Sequence, residues 1–220
     1  MKKVGLLLSG CGFNDGSEIH ESVISMLALD RAGVETVIMA PNIDQMHVVN
    51  HYTGQEMDEF RNVLVESSRI ARGNIKDMAE VTGNDLDALI IPGGFGVAKN
   101  LSDYAMAGPD CSVNPDVYRL VSEIYLLKKP IGAICIAPVM MAKIFGEQDV
   151  SAEMTIGSDE LTSKDINTMG SKHIKCLVPE MIIDEDKKLV TTPAYMEAQS
   201  IKEAAEGIEK LVKQVLLMIE

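Results

Sequence analysis

The sequence predicts an α/β fold: a doubly wound parallel sheet with helices on both faces. Three features predict it. Short apolar runs alternate with stretches of helical spacing along most of the 220 residues. Several of those runs end in glycine turns. The runs are also apolar at nearly every position rather than at every second one. Such strands belong in sheets buried on both sides, where parallel strands are joined by crossover helices.

Taken in order, VGLLLSG opens the chain as a buried strand. From Gly16 to Gly33 the spacing is helical, with Ile19, Val23, Met26 and Leu27 on one face. Asp15 and Glu18 read as a capping box, and Gly33 as the C-terminal stop. VETVIMAP is the next strand. After Pro41 the alternation pauses: HVVNHYTGQEM reads as a hairpin turning at Thr53-Gly54, and FRNVLVESSRIARG as a helix. Both read as an insertion within one domain spanning residues 1–220. LDALIIPGGFG is a strand ending in a glycine turn, and PDVYRLVSEIYLLKK a helix. KPIGAIC is again a strand. The short helix PVMMAKIF follows, with Pro138 in a first turn, where its missing N–H costs nothing. VPEMIIDEDKKLVTTPAYM reads as a hairpin with its polar turn over Asp184 to Lys187. Gln199 to Ile219 form an amphipathic helix with Ile201, Ala205, Ile208, Leu211, Val212 and Val215 on one face.

Charge narrows the function classes. A formal net charge of -13 and a pI of about 4.7 argue against nucleic acid, whose phosphates need clustered Lys and Arg. They argue equally against an anionic membrane surface. The apolar run in MKKVGLLLSGCG is too short for a signal peptide, and no stretch nears the roughly 20 apolar residues of a membrane span. The expectation is a cytoplasmic protein. Cys11, Cys111, Cys135 and Cys176 include no C-x-x-C pair, which suits reduced thiols rather than a disulfide scaffold.

In an open parallel sheet, ligands gather at the carboxyl ends of the strands. Three loops there carry unusual residues: SGCGFNDGSE, PGGFG and AICIAP. Cys135, in the third, ends a strand and precedes a helix. The unpaired N–H groups and positive helix end would favour its thiolate, and a tight strand-to-helix turn would lift it off the sheet. The competing reading is a buried cysteine packed as a small hydrophobe. In PGGFG, Gly93 and Gly94 let the backbone approach a ligand, and their N–H groups are candidate oxyanion donors. Gly10, Gly12 and Gly16 approximate a dinucleotide fingerprint, but the second strand ends Met39-Ala40-Pro41-Asn42 without the acidic residue that motif requires. Glu21 either points back over the carboxyl edge toward Cys135 or is a solvated helix glutamate. Spacing alone favours the second. Cys11, on the same sheet edge, is either a second thiol near the pocket or buried. His47 and His51, with Asp44 nearby, faintly suggest a metal, but a hairpin would not put them on one face. A surface role fits them better. His173 is the only histidine after Cys135, and a Cys-His pairing with it is a weak alternative.

The stretches SGCGFNDGSEIHESV, PGGFGVAKNLS, GAICIAPVM and LVTTPAYMEAQSI together resemble the ThiJ/PfpI superfamily. Within it they are most similar to the ElbB-type isoprenoid-biosynthesis glyoxalases, also called enhancing lycopene biosynthesis proteins. They extend over nearly the whole chain, including the inserted VVNHYTGQEM. The resemblance implies a flavodoxin-like three-layer sandwich, usually homodimeric. It implies Cys135 as the elbow nucleophile, Glu21 as its partner, and Gly94 and Ile136 as backbone donors, with Gly93 beside them. In the wider superfamily a histidine often follows the elbow in the next strand region. Here that region reads AEMTIGSDE, which favours a Cys-Glu pair over a triad. Glutamine amidotransferases need a late His and Glu pair, and no histidine follows His173. The implied activity is a glutathione-independent glyoxalase of the lyase type, needing no metal or other cofactor. It would act on a small 2-oxoaldehyde, turning glyoxal into glycolate or methylglyoxal into lactate. Two alternatives stand beside it: a cysteine-based redox sensor in stress response with little turnover, and a protein deglycase.

Overall fold

The structure, a computed structural model, describes residues 1–219. In chain order its elements are β1 (Lys3–Leu7), α1 (Ile19–Arg31), β2 (Glu35–Ala40), β3 (Val49–Asn50), β4 (Gln55–Glu56), α2 (Val63–Ile70), β5 (Lys76–Asp77), β6 (Ala88–Ile91), α3 (Tyr104–Ala107), α4 (Pro115–Leu126), β7 (Ile131–Ile134), α5 (Ala137–Gly146), β8 (Glu153–Met154), α6 (Glu160–Thr168), β9 (Lys172–His173), β10 (Ile182–Asp184), β11 (Leu189–Thr192) and α7 (Ile201–Leu217). Seven strands form the central sheet in the order β10-β11-β7-β6-β1-β2-β5. Only β10 and β11 pair antiparallel; the other neighbours are parallel. This is the flavodoxin-like arrangement expected.

The continuous apolar runs have a simple cause. In β6, Ala88 and Ile90 pack into one layer with α1, α2 and α7. Leu89 and Ile91 pack into the other, with α4, α5 and α6. Alternate side chains leave a strand on opposite faces, and here both faces are covered. Each fully buried Leu or Ile then contributes on the order of 1.5–3 kcal/mol. The sheet grows from β1 toward β2 and β5 on one side, and toward β6, β7 and β11 on the other. The boundary between β1 and β6 is therefore the switch point, where the loops leaving the carboxyl ends diverge and open a crevice.

The inserted segment forms the β3–β4 hairpin and α2, with Gly54 at a φ of +73° in the turn. The hairpin over Asp184 to Lys187 is present as β10 and β11. Helix α1 departs from its expected orientation. Ile19, Val23 and Leu27 are 42%, 48% and 43% exposed, whereas Glu21, Ser22 and Ser25 are buried. Ile24 and Leu29 anchor the helix in the core, with partly buried Met26 and Ala28 packed against it. The serines can be buried because their hydroxyls donate to the carbonyls of Glu18 and Glu21, each at 2.7 Å, which satisfies them within the helix. The cap also shifts. Glu18 is the N-cap, its carboxylate accepting the Glu21 N–H at 2.7 Å, while buried Asp15 takes the Val49 N–H at 2.7 Å. On α7, Ile201 faces solvent, whereas Ile208, Leu211, Val212 and Val215 are buried.

Helix α7 packs close to the sheet over Gly132 in β7. A Cβ at that position would lie 2.6 Å from Leu211 Cδ2 and 3.1 Å from Val215 Cγ2. Gly132→Val is expected to destabilise the fold by about 1–3 kcal/mol through overpacking, measured as a lowered urea midpoint with an unchanged slope.

Candidate active site

The loops after β1 and β6 are tied together along their main chains. Glu18 N–H donates to the Gly93 carbonyl (2.9 Å), Phe95 N–H to Phe13 (2.7 Å) and Gly96 N–H to Gly16 (2.9 Å). Buried Asn100 donates through Nδ2 to the carbonyls of Ser9 (2.8 Å) and Asp15 (2.9 Å), and its Oδ1 accepts the Met46 N–H (2.9 Å). These bonds fix where α1 begins, and so where Glu21 lies.

Cys135 occupies the turn between β7 and α5 with a φ of +61°. That left-handed conformation costs a residue with a Cβ roughly 1–2 kcal/mol. It is held by the Cys135 N–H, which donates to the Thr192 carbonyl at 3.0 Å. The N–H groups of Gly94 and Ile136 and the Glu21 carboxyl are the polar neighbours that act on the sulfur. The Glu21 carboxyl is completely buried. Its Oε2 accepts the Gly93 N–H at 2.8 Å and its Oε1 the Tyr195 N–H at 3.2 Å. Gly93 lies between the two reactive groups. A Cβ there would be 2.8 Å from Glu21 Oε2, 3.0 Å from Cys135 Sγ and 2.5 Å from Cys135 Cβ. The structure thus brings Glu21, Gly93, Gly94, Cys135 and Ile136 together.

Burial pushes the Glu21 carboxyl up to about 8, with the Glu18 charge adding to the rise; the Gly93, Tyr195 and Cys135 hydrogen bonds offset part of it. The Cys135 thiol is also pushed well above its ordinary range, first by burial and then by the Glu21 charge. The expectation that the helix end would favour the thiolate is thereby corrected. The Gly94 and Ile136 N–H groups do pull the thiol down, but desolvation outweighs them. Two acids this close titrate as one unit. The first proton leaves near pH 8, and both groups are not ionised together in the neutral range.

Cys11 lies elsewhere on the edge, beside Glu66 and Arg69 of α2 and Asp15; burial, then Glu66, raises its thiol. His173 Nε2 is 3.4 Å from Ser163 Oγ and from the Ile156 nitrogen. It lines a groove of about 570 Å³ with Ser158, Ser163, Asn167 and Lys175, and the structure places it in that setting rather than among the partners of Cys135. His51 braces the first loop: its Nε2 accepts the Asn14 N–H at 3.3 Å and lies 3.8 Å from Asp15 Oδ1. Sequence reasoning missed Tyr195 and Glu18 as partners of Glu21. Tyr195 lies in LVTTPAYMEAQSI, one of the stretches that carry the resemblance, but nothing there singled it out as a partner of Glu21. Glu18 was legible as a capping residue, three places before Glu21.

The raised carboxyl has a consequence for stability. In the unfolded chain Glu21 ionises near 4.5, in the fold near 8. Between those values the unfolded state has lost a proton that the folded state keeps, so stability falls as pH rises and levels off above 8. Glu21→Gln removes this dependence. The variant's stability relative to wild type is expected to improve by several kcal/mol from pH 5 to pH 8, read from urea unfolding at the two values.

Comparison with known proteins gives the family and the fold. The chain is 43% identical to the rat protein named ES1 protein homolog, mitochondrial, over 97% of this chain and 83% of that one. It is 44% identical to the human protein named glutamine amidotransferase-like class 1 domain-containing protein 3, mitochondrial, over 97% and 82%. Both relatives are mitochondrial by name, and this overturns the cytoplasmic placement read from the short apolar run at the start of the sequence. The crystal structure of an isoprenoid biosynthesis protein with an amidotransferase-like domain from Ehrlichia chaffeensis superposes with a TM-score of 0.94 at 36% identity, covering both chains fully. The ElbB-type resemblance stands on that likeness. The model of the DJ-1/PfpI family matches residues 7–200, and the chain belongs to that family.

Proposed function

We propose that the chain is a cofactor-independent glyoxalase acting on a small 2-oxoaldehyde through Cys135 and Glu21. The observation that carries this reading is a fully buried carboxyl beside the elbow sulfur, its ionisation pushed up to about 8 by burial, with Gly93 packed between the two groups.

The chemistry needs one negative charge on the pair, and near neutral pH the pair carries no more than one. With the proton on Glu21, the charge rests on Cys135 sulfur, where the Gly94 and Ile136 N–H groups stabilise it. The thiolate attacks the aldehyde carbon. A C–S bond forms, the carbonyl π pair moves to oxygen, and Glu21 supplies that oxygen's proton, giving a hemithioacetal. The Glu21 carboxylate then removes the hydrogen of the former aldehyde carbon, and the electrons pass into an enediol. Return of that proton to the adjacent carbon, with the hydroxyl proton on the sulfur-bearing carbon passing to the neighbouring oxygen, gives a 2-hydroxy thioester. One carbon is oxidised and its neighbour reduced, so no external oxidant is required. Water displaces the sulfur and releases glycolate or lactate, regenerating the thiol. The Gly94 and Ile136 amides that hold the sulfur are also suited to the oxygen that gains charge beside it.

The redox-sensor reading gains less support. Rapid oxidation needs an exposed thiolate, whereas Cys135 is 7% exposed and its thiol is pushed up by burial.

Cys135→Ser is expected to abolish formation of glycolate from glyoxal while leaving the fold intact, and retained turnover would remove the mechanism. In the wild type, kcat/KM is expected to rise with pH and level off near 8, where the first proton leaves the pair. The rise should be roughly tenfold per unit well below that value. A chromatographic assay of the hydroxy acid checks both.

A further inference from the structure

Beyond the Cys-Glu pair, two side chains meet over the carboxyl without an assigned role. His20 Nδ1 lies 2.8 Å from the Tyr195 hydroxyl, linking residues 175 apart in sequence. Their rings are 5.7 Å apart, tilted by 45°. Both ends of this link land on Glu21. His20 precedes it in the first turn of α1, and Tyr195 donates its backbone N–H to Glu21 Oε1. The Tyr195 phenol is also near enough to Glu18 and Glu21 for their charges to raise it, after burial.

The turn that carries Tyr195 is closed by its own main-chain bonds, Met196 N–H to the Pro193 carbonyl (3.0 Å) and Ala198 N–H to the Ala194 carbonyl (2.9 Å), yet it contains a strained residue. Ala194, fully buried and not a glycine, has a φ of +42°. A left-handed alanine persists only where surrounding contacts over-determine it. The turn leaves β11 beside the Thr192 carbonyl, which holds the Cys135 N–H. It is therefore in contact with both halves of the pair. The side-chain bond from its tyrosine to α1 is the one contact that ties the turn directly to the helix bearing Glu21 and faces solvent rather than core.

We propose that His20 and Tyr195 are positioning residues: their hydrogen bond clamps the Pro193–Tyr195 turn onto α1, so that the Tyr195 N–H fixes the plane of the Glu21 carboxyl against Cys135. With Gly93 on Oε2 and Tyr195 on Oε1, each oxygen is pinned by one donor, and rotation of the carboxyl is blocked. Without the clamp, Gly93 is the remaining backbone donor to the carboxyl. The inference rests on Cys135 and Glu21 forming the reactive site, and not on which substrate they take.

The test follows the rate of Cys135 alkylation by iodoacetamide against pH, beside glyoxal kinetics. The groups that set the pH midpoint are Glu18 and Glu21 from α1, Cys135 from the elbow, and the Tyr195 phenol with His20 behind it. The Tyr195 N–H holds Glu21 down, so loosening it moves the midpoint upward. Tyr195→Phe and His20→Ala are each expected to raise it by roughly one unit, the scale of one lost hydrogen bond to a charged group. Each should also lower kcat about tenfold with KM changed less than about twofold. His20→Asn, whose amide can occupy the place of Nδ1, should restore both. A merely structural role would lower the thermal midpoint and leave the alkylation midpoint unmoved, and that result overturns the proposal. So would an unmoved midpoint in both Tyr195→Phe and His20→Ala. Alkylation needs no glyoxal, so absence of glyoxalase turnover would sink the functional reading alone and leave the clamp to be judged on its own shift.

Discussion

The structure around the site is arranged to bury one carboxyl. A carboxylate taken out of water without compensation costs several kcal/mol even after relaxation. Two outcomes lower that cost: hydrogen bonds to the charged form, or retention of the proton. Glu21 has two backbone donors, Gly93 and Tyr195, and burial followed by the Glu18 charge outweighs them. Two neutral donors do not offset complete burial beside another acid, Glu18. Retention of the proton therefore wins, and the residue rests as a carboxylic acid. The polar inner face of α1 follows from the same constraint. A helix that must deliver a carboxyl to the sheet edge cannot present an unbroken apolar stripe there. Ser22 and Ser25 fill the remaining positions and bond back into the helix.

The neutral carboxyl decides what Cys135 can do. A cysteine at a helix start is often read as a ready thiolate. Here the helix end and two N–H donors act against burial of the sulfur and against the neighbouring acid, and the second pair of effects is larger. If Glu21 were ionised at rest, the thiol would be inert. In the proposed mechanism, proton transfer from the sulfur to the carboxyl forms the nucleophile without adding a second anion. The same acid that suppresses the thiolate is thus the partner that makes it accessible. Gly93 permits this contact, since any side chain there would enter the space between the two groups.

Much of this was legible in the residues. The alternation of apolar runs gave the sheet, because strands buried on both faces leave little else for those runs to be. The hairpin at Thr53-Gly54 and the elbow at Cys135 were readable from turn chemistry. The orientation of α1 was not. Ile19, Val23 and Leu27 recur at helical spacing and would normally mark the core face, yet they are exposed. Local periodicity cannot report that a buried carboxyl takes precedence over an apolar stripe. Glu21 read as solvated for the same reason. Only likeness to a family pointed inward, since the residues that bury it, Gly93 and Tyr195, are 72 and 174 positions away. Tyr195 contributes a backbone N–H to Glu21, and the sequence carries no marker for that.

Burial of the site also bears on the choice among reactions. Cys135 is 7% exposed and Glu21 is not exposed at all. A sugar-derived adduct on a protein side chain would have to bring a bulky carrier to a sulfur that is buried. A free dicarbonyl of a few atoms has no carrier. It can be enclosed by the pair, and enclosure strengthens the electrostatic interactions on which proton shuttling depends. The more open surface lies at the groove beside His173, lined by Ser158, Asn167 and Lys175, away from the residues that hold Cys135. The proposed reading, with a small, neutral, electrophilic substrate, follows from the same desolvation that raises Glu21, since a site open enough for a macromolecule would admit water and lower it again.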